Sequence, residues 1–350
     1  MRLLIIPIFI PHAGCPHDCC FCNQKVISGN VRAPSAEEIH SMLEGYFTVA
    51  HRYDAVQAAF YGGSFSGLAL PQQSFYLNLL QPYLKNGSIG SIRISTRPDY
   101  IDPDILTFLY ENGVSVIELG AQSMDDRVLR MAGRGHCADD TERAARLIKE
   151  RGIQLGLQTM TGLPGADEKT DYETALRIIR LCPEFVRIYP TAVVRNTKLA
   201  QMYEAGAYLP PSLSETVTRC AELVSLYENA GIPVIRIGLQ SSDRISSAGG
   251  DVVAGPYHPA FGQLVRSHLA LMRVCRMLRE IPDSVWAEEA DLIIGKERDK
   301  LLLYVPENQI SIYVGQKRRN IDYLCEHFGF AGVAVRGLGR NLKSDAVSVL

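Results

Sequence analysis

The sequence predicts an α/β protein, with a partial (β/α)6 TIM-like barrel followed by a small C-terminal α/β module. Short apolar runs alternate with amphipathic helical stretches over roughly the first 240 residues, which is the pattern of a parallel sheet covered by helices. Right-handed crossovers between successive strands curl such a sheet toward a barrel. The chain has 350 residues and is 47% hydrophobic, so it can bury a large core. A doubly wound sheet is the structural alternative.

Six strands and six helices are predicted in the first part of the chain. Ser35 and Glu38 have the spacing of a capping box at the start of the first helix. Gly113, Gly152 and Gly231 each stand where a helix should end, just before a β-rich run. The strands cover residues 3–10, 56–61, 91–95, 114–119, 153–158 and 185–190, and the helices cover residues 35–49, 70–84, 102–111, 125–132, 138–150 and 170–181.

A change of pattern near residue 240 predicts a domain boundary. A helix at 213–230 and a strand at 233–239 continue the alternation, which a serine- and glycine-rich stretch at 241–250 then interrupts. A helix at 259–280 follows, and the remaining residues differ in character. We therefore predict a core barrel at 1–240, a linker and connecting helix at 241–285, and a small module at 286–350.

The composition excludes several classes of protein. The net charge of −2 provides no overall positive field, so contact with a nucleic acid would have to be local. No run of about 18 apolar residues is present, so no membrane span is expected. The apolar N-terminus predicts a buried strand and not an export signal, because Pro7, Pro11 and His12 interrupt it. Five of the nine cysteines stand singly, as in a reduced compartment, and we predict a cytoplasmic protein.

The other four cysteines fall within eight residues, and three of them form the pattern C-x3-C-x2-C. Cys15, Cys19 and Cys22 lie on the loop that leaves the first predicted strand, at the edge of the sheet where α/β barrels build their sites. Three thiolates are one short of a closed site, so a [4Fe-4S] cluster held by them would keep one iron open to another ligand. Structural zinc with His17 as fourth ligand and a disulfide are the alternatives. Cys20 is out of register, which predicts a packing role.

This cysteine pattern, with Phe21 directly before Cys22, resembles that of the radical S-adenosylmethionine (SAM) superfamily. Gly62 and Gly63 occupy the position of that family's Gly-Gly motif, whose backbone meets the amino group of SAM, and glycine permits this close approach because it has no Cβ. Ser64 stands where the family usually has an acidic residue. The chain is also similar to the radical-SAM domain of the Elongator catalytic subunit and, more loosely, to coproporphyrinogen-oxidase-like enzymes. The matching runs, within residues 8–210, are Ser95–Asp99, Glu118–Ser123, Arg134–His136, Met160–Gly165 and Arg187–Thr191.

The resemblance implies a SAM-binding site made of Gly62, Gly63 and Ser64 together with polar residues on the next strands. By this resemblance Glu118 and Gln122 would approach the ribose of SAM or the substrate, since arginine suits a carboxylate and glutamate or glutamine suits the hydroxyls of a ribose. His136 is expected to be a turn residue and not a catalytic one. The further residues implied to bind the cofactor are Thr96, Arg97, Glu118, Gln122, Gln158 and Arg187.

The resemblance also implies the reaction. A reduced [4Fe-4S] cluster would cleave bound SAM to methionine and a 5′-deoxyadenosyl radical, which abstracts a hydrogen atom from an unactivated carbon. The reduction requires an electron donor of the flavodoxin or ferredoxin type. The acetyltransferase domain of the Elongator subunit is expected to be absent from this chain.

Residues 305–336 are similar to a KH module, in which a G-x-x-G loop between two helices clamps a nucleic-acid backbone. The loop begins at Gly315, and Arg318 replaces its second glycine. Lys317, Arg318 and Arg319 provide a local positive face on a nearly neutral protein, which predicts nucleic-acid binding. The alternative is a small α/β appendage with a solvated basic turn.

These observations together predict a radical SAM enzyme that modifies RNA or an RNA-containing particle. One alternative is a radical SAM enzyme that acts on a small molecule or a tetrapyrrole, in which case the C-terminal module is structural. The other is a non-catalytic iron–sulfur protein that binds RNA without cleaving SAM.

Overall fold

A computed structural model describes residues 2–11, 13–15, 19–23, 32–239, 250–280 and 286–338. The chain forms two compact units. The first contains Met1–Thr216 and Leu226–Pro259, and the second contains Val217–Ser225 and Ala260–Leu350. The division at 1–240, 241–285 and 286–350 stays a prediction, and most of the serine- and glycine-rich stretch at 241–250 lies outside the described residues.

A parallel sheet of seven strands forms the centre of the first unit, in the order β1-β2-β3-β4-β5-β6-β8. Strands β7 and β9 form a separate antiparallel pair. The α/β class and the partial barrel are confirmed, and the strand predicted at 233–239 extends the sheet from six strands to seven. The strands are β1 Leu3–Phe9, β2 Ala55–Tyr61, β3 Ser91–Thr96, β4 Val114–Gln122, β5 Gln154–Thr161, β6 Phe185–Pro190, β7 Val193–Val194, β8 Val234–Ile237 and β9 Val252–Ala254.

Helices connect the strands of this sheet, and local side chains determine where they start and end. The capping box at Ser35 is confirmed, since its amide donates to the Glu38 carboxylate at 2.7 Å and its hydroxyl accepts from the Glu38 amide. Gly113, Gly152 and Gly231 have φ of +88°, +78° and +76°, as helix-ending glycines do. The helices are α1 Ala36–Ala50, α2 Leu70–Lys85, α3 Pro103–Glu111, α4 Asp126–Met131, α5 Ala138–Glu150, α6 Glu168–Arg180, α7 Lys198–Glu204 and α8 Leu213–Asn229.

Burial follows the position of each strand in the sheet. Alternate residues of the edge strand β1 are buried, whereas β4, in the middle of the sheet, is buried along nearly its whole length. Continuous burial is typical of a parallel strand covered on both faces. None of the described helices is long and apolar enough to cross a membrane.

The second unit is a small four-stranded sheet with helices against it. Its strand order is β10-β11-β12-β13, in which β12 and β13 are parallel and the other neighbours are antiparallel. Val274, Leu301, Leu303 and Leu324 lie in its hydrophobic core, which confirms a separate C-terminal α/β module. The elements are α9 Phe261–Glu280, β10 Trp286–Glu289, β11 Leu292–Glu297, β12 Lys300–Pro306, α10 Ile310–Val314, α11 Arg319–Phe328 and β13 Gly332–Leu338.

Candidate active site

The loop after β1 packs backbone to backbone against the turn after β2. The amide of Ser64 donates to the carbonyl of Ala13 at 2.9 Å. A Cβ on Gly63 would overlap the carbonyl oxygen of Ala13, and a Cβ on Gly14 would overlap that of Ser64. Glycine is therefore required on both sides of the contact. This packing brings the cysteine loop, which begins at Cys15, beside the predicted SAM-binding turn.

The three predicted ligand cysteines differ in their surroundings. Cys15 is exposed, Cys19 is buried and Cys22 is half-buried, and the amide of Cys22 donates to the Cys19 carbonyl at 3.0 Å. Nη1 of Arg134 donates to Sγ of Cys19 at 3.3 Å. Although the residue as a whole is exposed, desolvation of its thiol by the surrounding protein raises the pKa of Cys15, and the neighbouring Cys19 raises it further. Bound iron would therefore have to displace protons from thiols.

In chemical terms the donor set fits a [4Fe-4S] cluster with one open iron. It consists of three thiols on one loop, and a guanidinium stands beside one of them, which favours a thiolate. Among the described residues, which include Cys15, Cys19 and Cys22, no three His, Cys, Asp or Glu side chains lie close enough together to hold a metal ion, so the fit is one of donor type and not of distance. No disulfide is formed among the described cysteines, and His17 lies outside the described residues.

Cys20 has a different role from its neighbours. Its amide donates to the carbonyl of Ala132 at 2.9 Å, and its carbonyl accepts from the amide of Leu199 at 2.8 Å. The side chain packs in a hydrophobic cluster with Val128 and Leu163. Burial, followed by the effect of Cys19, raises the pKa of the Cys20 thiol to about 12. The predicted packing role is confirmed, and this residue attaches the cysteine loop to α4 and α7.

The end of β3 faces the Ser64 turn. The hydroxyls of Ser64 and Thr96 lie 2.9 Å apart, and both residues are buried. The Arg97 guanidinium pairs with Asp99 through two contacts of 2.9 Å and also donates to the carbonyl of Arg134. Protein groups thus already pair with the guanidinium of Arg97, which joins the loop after β3 to the loop that carries Arg134.

A buried network, here called the inner cluster, joins Tyr61, Arg93, Glu118, Gln158 and Arg187 from five neighbouring strands. Oε1 of Glu118 accepts from Arg93 at 2.7 Å and from Arg187 at 2.9 Å. Tyr61 donates to the same oxygen at 3.1 Å. Oε2 lies 2.8 Å from Nε of Arg187 and accepts from Gln158 at 2.9 Å. The Glu118 carboxylate is thus surrounded by protein donors.

The charges of the inner cluster follow from these contacts. Burial acts to raise the pKa of Glu118, but Arg187 and Arg93 outweigh it, so the pKa lies below its ordinary value. Burial and the nearby carboxylate raise the pKa of Tyr61. At neutral pH the cluster therefore contains an ionised carboxylate and a neutral phenol. Tyr61 and Arg93 were not among the predicted site residues, although Arg93 is a charged residue in an otherwise uncharged strand.

Gln122 ends β4 in an unusual conformation. Its φ is +66°, and the register of β4 on β5 shifts between Gly120 and Gln122, as at a β-bulge. The side chain is buried, and its Oε1 has no hydrogen-bond partner among the described residues. Non-glycine residues rarely adopt a positive φ, and here the bulge changes the direction of the Gln122 side-chain amide relative to a regular strand.

Arg134 reaches the site from the loop after α4. Besides Cys19, its guanidinium contacts the carbonyl of Gly120 at 2.5 Å, and its buried Nε has no partner within the described part of the chain. The nearby His136 is buried, and burial, Arg134 and Arg97 lower its pKa to about 4. Its ring is neutral at pH 7. The sequence run Arg134–His136 was a signal for this corner of the site, but Arg134 was not singled out.

The basic loop of the second unit, Gly315–Arg319, joins α10 to α11. Lys317 and Arg318 have φ of 53° and 64°, and both side chains are exposed. Asn320, directly after the loop, is buried and donates to the carbonyls of Ser267 at 3.0 Å and Ile312 at 3.3 Å. The amide of Asn320 thus holds the loop in place while its cations face solvent.

The fold and the site match one class of protein. A sequence model of the radical SAM superfamily matches residues 9–178, and a model of the radical SAM C-terminal domain matches residues 183–270. The chain therefore belongs to the radical SAM superfamily, whose members are enzymes that use a [4Fe-4S] cluster and SAM.

Its relatives include proteins that modify tRNA. A tRNA uridine(34) acetyltransferase of Methanocaldococcus infernus is 24% identical over 253 residues, which are 61% of this chain and 47% of the relative. Elongator complex protein 3 of Mus musculus is 26% identical over 205 residues, which cover 52% and 38%. The structure of an N-terminally truncated Elp3 from Methanocaldococcus infernus shares the fold, with a TM-score of 0.63 at 17% identity over 99% of this chain and 96% of that one. The chain spans about half the length of the curated tRNA-modifying relative, at 47%.

Proposed function

We propose that Cys15, Cys19 and Cys22 hold a [4Fe-4S] cluster at which this enzyme reductively cleaves SAM. The observation that carries the proposal is the close packing of the cysteine loop on the Gly62–Ser64 turn, with the Arg134 guanidinium on Cys19. When bound, the two cofactors supply the reductive cleavage that yields methionine and a 5′-deoxyadenosyl radical.

The remaining residues of the site would bind and orient SAM. The backbone polar groups of Gly62 and Gly63 would meet the amino group of the ligand, as the resemblance to the superfamily implies, while the Cβ-free side of Gly63 packs against the Ala13 carbonyl. Arg134 provides a guanidinium for the carboxylate, and Oε1 of Gln122 provides an acceptor for a hydroxyl or an amino group. Thr96, with its buried hydroxyl contact to Ser64, forms the adjoining wall.

We further propose that the substrate is RNA, bound in part by the basic loop of the second unit. Two observations support this: the relatives include proteins named for tRNA uridine modification, and Lys317, Arg318 and Arg319 form an exposed group of three cations. The electron would come from a flavodoxin or ferredoxin type of donor, in the cytoplasm.

Anaerobic reconstitution tests the cofactor part of the proposal. The wild type should take up about four irons per chain and form 5′-deoxyadenosine with SAM and dithionite, because three thiolates can hold a cubane with one open iron. The triple variant Cys15→Ala, Cys19→Ala, Cys22→Ala should do neither. A Cys182→Ala, Cys325→Ala variant, which removes thiols far along the chain, is the matched control and should behave as wild type. Zinc in place of iron, or a cluster without SAM cleavage, would refute the proposal.

A further inference from the structure

The inner cluster has one more positive charge than negative. Arg93 and Arg187 both pair with Glu118, which is the only carboxylate paired to either guanidinium among the described residues. The raised pKa of Tyr61 keeps its phenol neutral, and Gln158 is uncharged. Two guanidiniums and one carboxylate leave a net charge of +1 within the sheet.

An uncompensated charge in this position is unfavourable. The Arg93 and Glu118 side chains are 5% and 0% exposed, and that of Arg187 is 11% exposed. Removing a charge from water is unfavourable unless an opposite charge accompanies it. The half-buried members Tyr61, Gln158 and Arg187 leave one side of the cluster accessible, so a counter-ion can approach there.

The carboxylate of SAM does not account for this charge in the proposed site. SAM has one carboxylate, and Arg134 is the guanidinium beside the cysteine loop. Arg134 contacts Cys19 and Gly120 and shares neither of these partners with the arginines of the inner cluster. Arg134 and the arginines of the inner cluster therefore have different partners, and a second anion would neutralise the inner cluster.

We propose that the inner cluster binds an anionic group of the substrate, a phosphate or a carboxylate, at Arg187 and Tyr61. The inference rests on the proposed function only in taking this strand face as the substrate side of the site. A phosphate would come from RNA, and a carboxylate would come from a small molecule. In either case the anion supplies the negative charge that Glu118 alone does not.

The test measures the dissociation constants of inorganic phosphate and of acetate for the reconstituted protein saturated with SAM, from thermal shifts at constant ionic strength. Arg187→Gln removes the excess charge and should weaken anion binding at least tenfold. Glu118→Gln raises the net charge of the cluster to about +2 and should tighten binding several-fold. Arg177→Gln is the control, since Arg177 pairs with Glu142 and has no contact with the cluster. A preference for phosphate indicates RNA as the source, and a preference for acetate indicates a small carboxylate.

Equal anion affinity in wild type, Arg187→Gln and Glu118→Gln would overturn the inference. So would anion binding that SAM abolishes, because the SAM carboxylate would then occupy this position. If the variants do not fold, phenylglyoxal labelling of the wild type decides the question: phosphate or acetate should protect Arg187 and not Arg177. None of these readouts requires SAM cleavage, so failure of the inference is distinct from failure of the proposed function.

Discussion

At the scale of single residues, Arg134 has the largest set of functional contacts. One guanidinium touches a predicted cluster ligand, Cys19, and the β4 carbonyl of Gly120, while its Nε has no partner in the described residues. Buried donors are normally satisfied, so an unpaired one at a site is a position for a ligand. Arginine also binds a carboxylate with two parallel hydrogen bonds, which lysine cannot do.

Replacing Arg134 should therefore weaken SAM binding. We expect Arg134→Gln to raise the dissociation constant of SAM about tenfold, since a charge-assisted hydrogen bond is worth about 1.5–3 kcal/mol. Equilibrium dialysis of the reconstituted protein measures this. Arg130→Gln, an exposed arginine on α4, is the control and should leave the constant unchanged. An Arg134→Gln variant that binds SAM as tightly as wild type would contradict the assignment.

His136 makes the stability of the protein depend on pH. Its folded pKa of about 4 lies below the ordinary 6.5, so between these values the unfolded chain binds a proton that the folded chain does not. The free energy of unfolding then rises with pH through this window, and the contribution is lost as the pH falls from 6.5 toward 4.

Urea unfolding at pH 7 and pH 5 checks this linkage. Between pH 7 and pH 5 the free energy of unfolding of the wild type should fall by about 2 kcal/mol more than that of His136→Asn. His51→Asn, which changes an exposed histidine, should follow the wild type. If His136→Asn and wild type lose the same amount, His136 does not have the lowered pKa.

At the scale of elements, the site depends on how closely the cysteine loop packs on the turn after β2. The contact is between backbones, and it exists because Gly14 and Gly63 have no side chain. Strand pairing alone would place β1 and β2 side by side, with Phe9 opposite Tyr61, but it would not bring their loops together. The glycines determine that last step.

Gly63→Ala should thus separate the loop from the turn. A Cβ there would overlap the Ala13 carbonyl and approach the Ile10 carbonyl to 2.9 Å, and backbone atoms cannot move aside as a flexible side chain can. We expect a loss of roughly 1–3 kcal/mol in unfolding free energy and a lower iron content after reconstitution. Gly45→Ala, in α1 with nothing within 4 Å of the new Cβ, is the control and should keep wild-type iron. Normal iron content in Gly63→Ala would show that the contact is dispensable.

At the scale of the whole molecule, the chain combines the unit that contains the candidate active site with a smaller unit that carries an exposed basic loop. The first holds the cysteine loop and the inner cluster, and the second holds the exposed Gly315–Arg319 loop. The net charge of −2 gives no overall attraction for a polyanion, so binding of RNA has to depend on local cations.

The salt dependence of tRNA binding measures that local contribution. The double variant Lys317→Ala, Arg318→Ala lacks two of these cations. It should bind tRNA more weakly, and its slope of log affinity against log salt should be smaller by about 1.5, because two phosphate contacts are lost. Lys296→Ala, Lys300→Ala removes the same charge from the β11–β12 strands and should retain the wild-type slope. If both double variants have the same slope, the basic loop is not part of an RNA interface.

The sequence alone was sufficient for the seven strands of the parallel sheet, the capping box at Ser35, the helix-ending glycines and the superfamily, but it did not reveal β7, β9 and α7. The predicted features depend on local periodicity or on motifs of a few neighbouring residues, such as Cys15–Cys22, and such signals are complete within a short stretch of chain.

Only the tertiary structure revealed the contacts between distant strands. The Glu118 network depends on five strands in register, and Arg134 reaches Cys19 across 115 positions of sequence. The positive φ of Gln122 and the excess charge beside Glu118 likewise arise from pairing in the sheet. Which side chains interact depends on their distance in space, because electrostatic and hydrogen-bond energies decrease as two groups move apart. The number of residues between them along the chain does not enter.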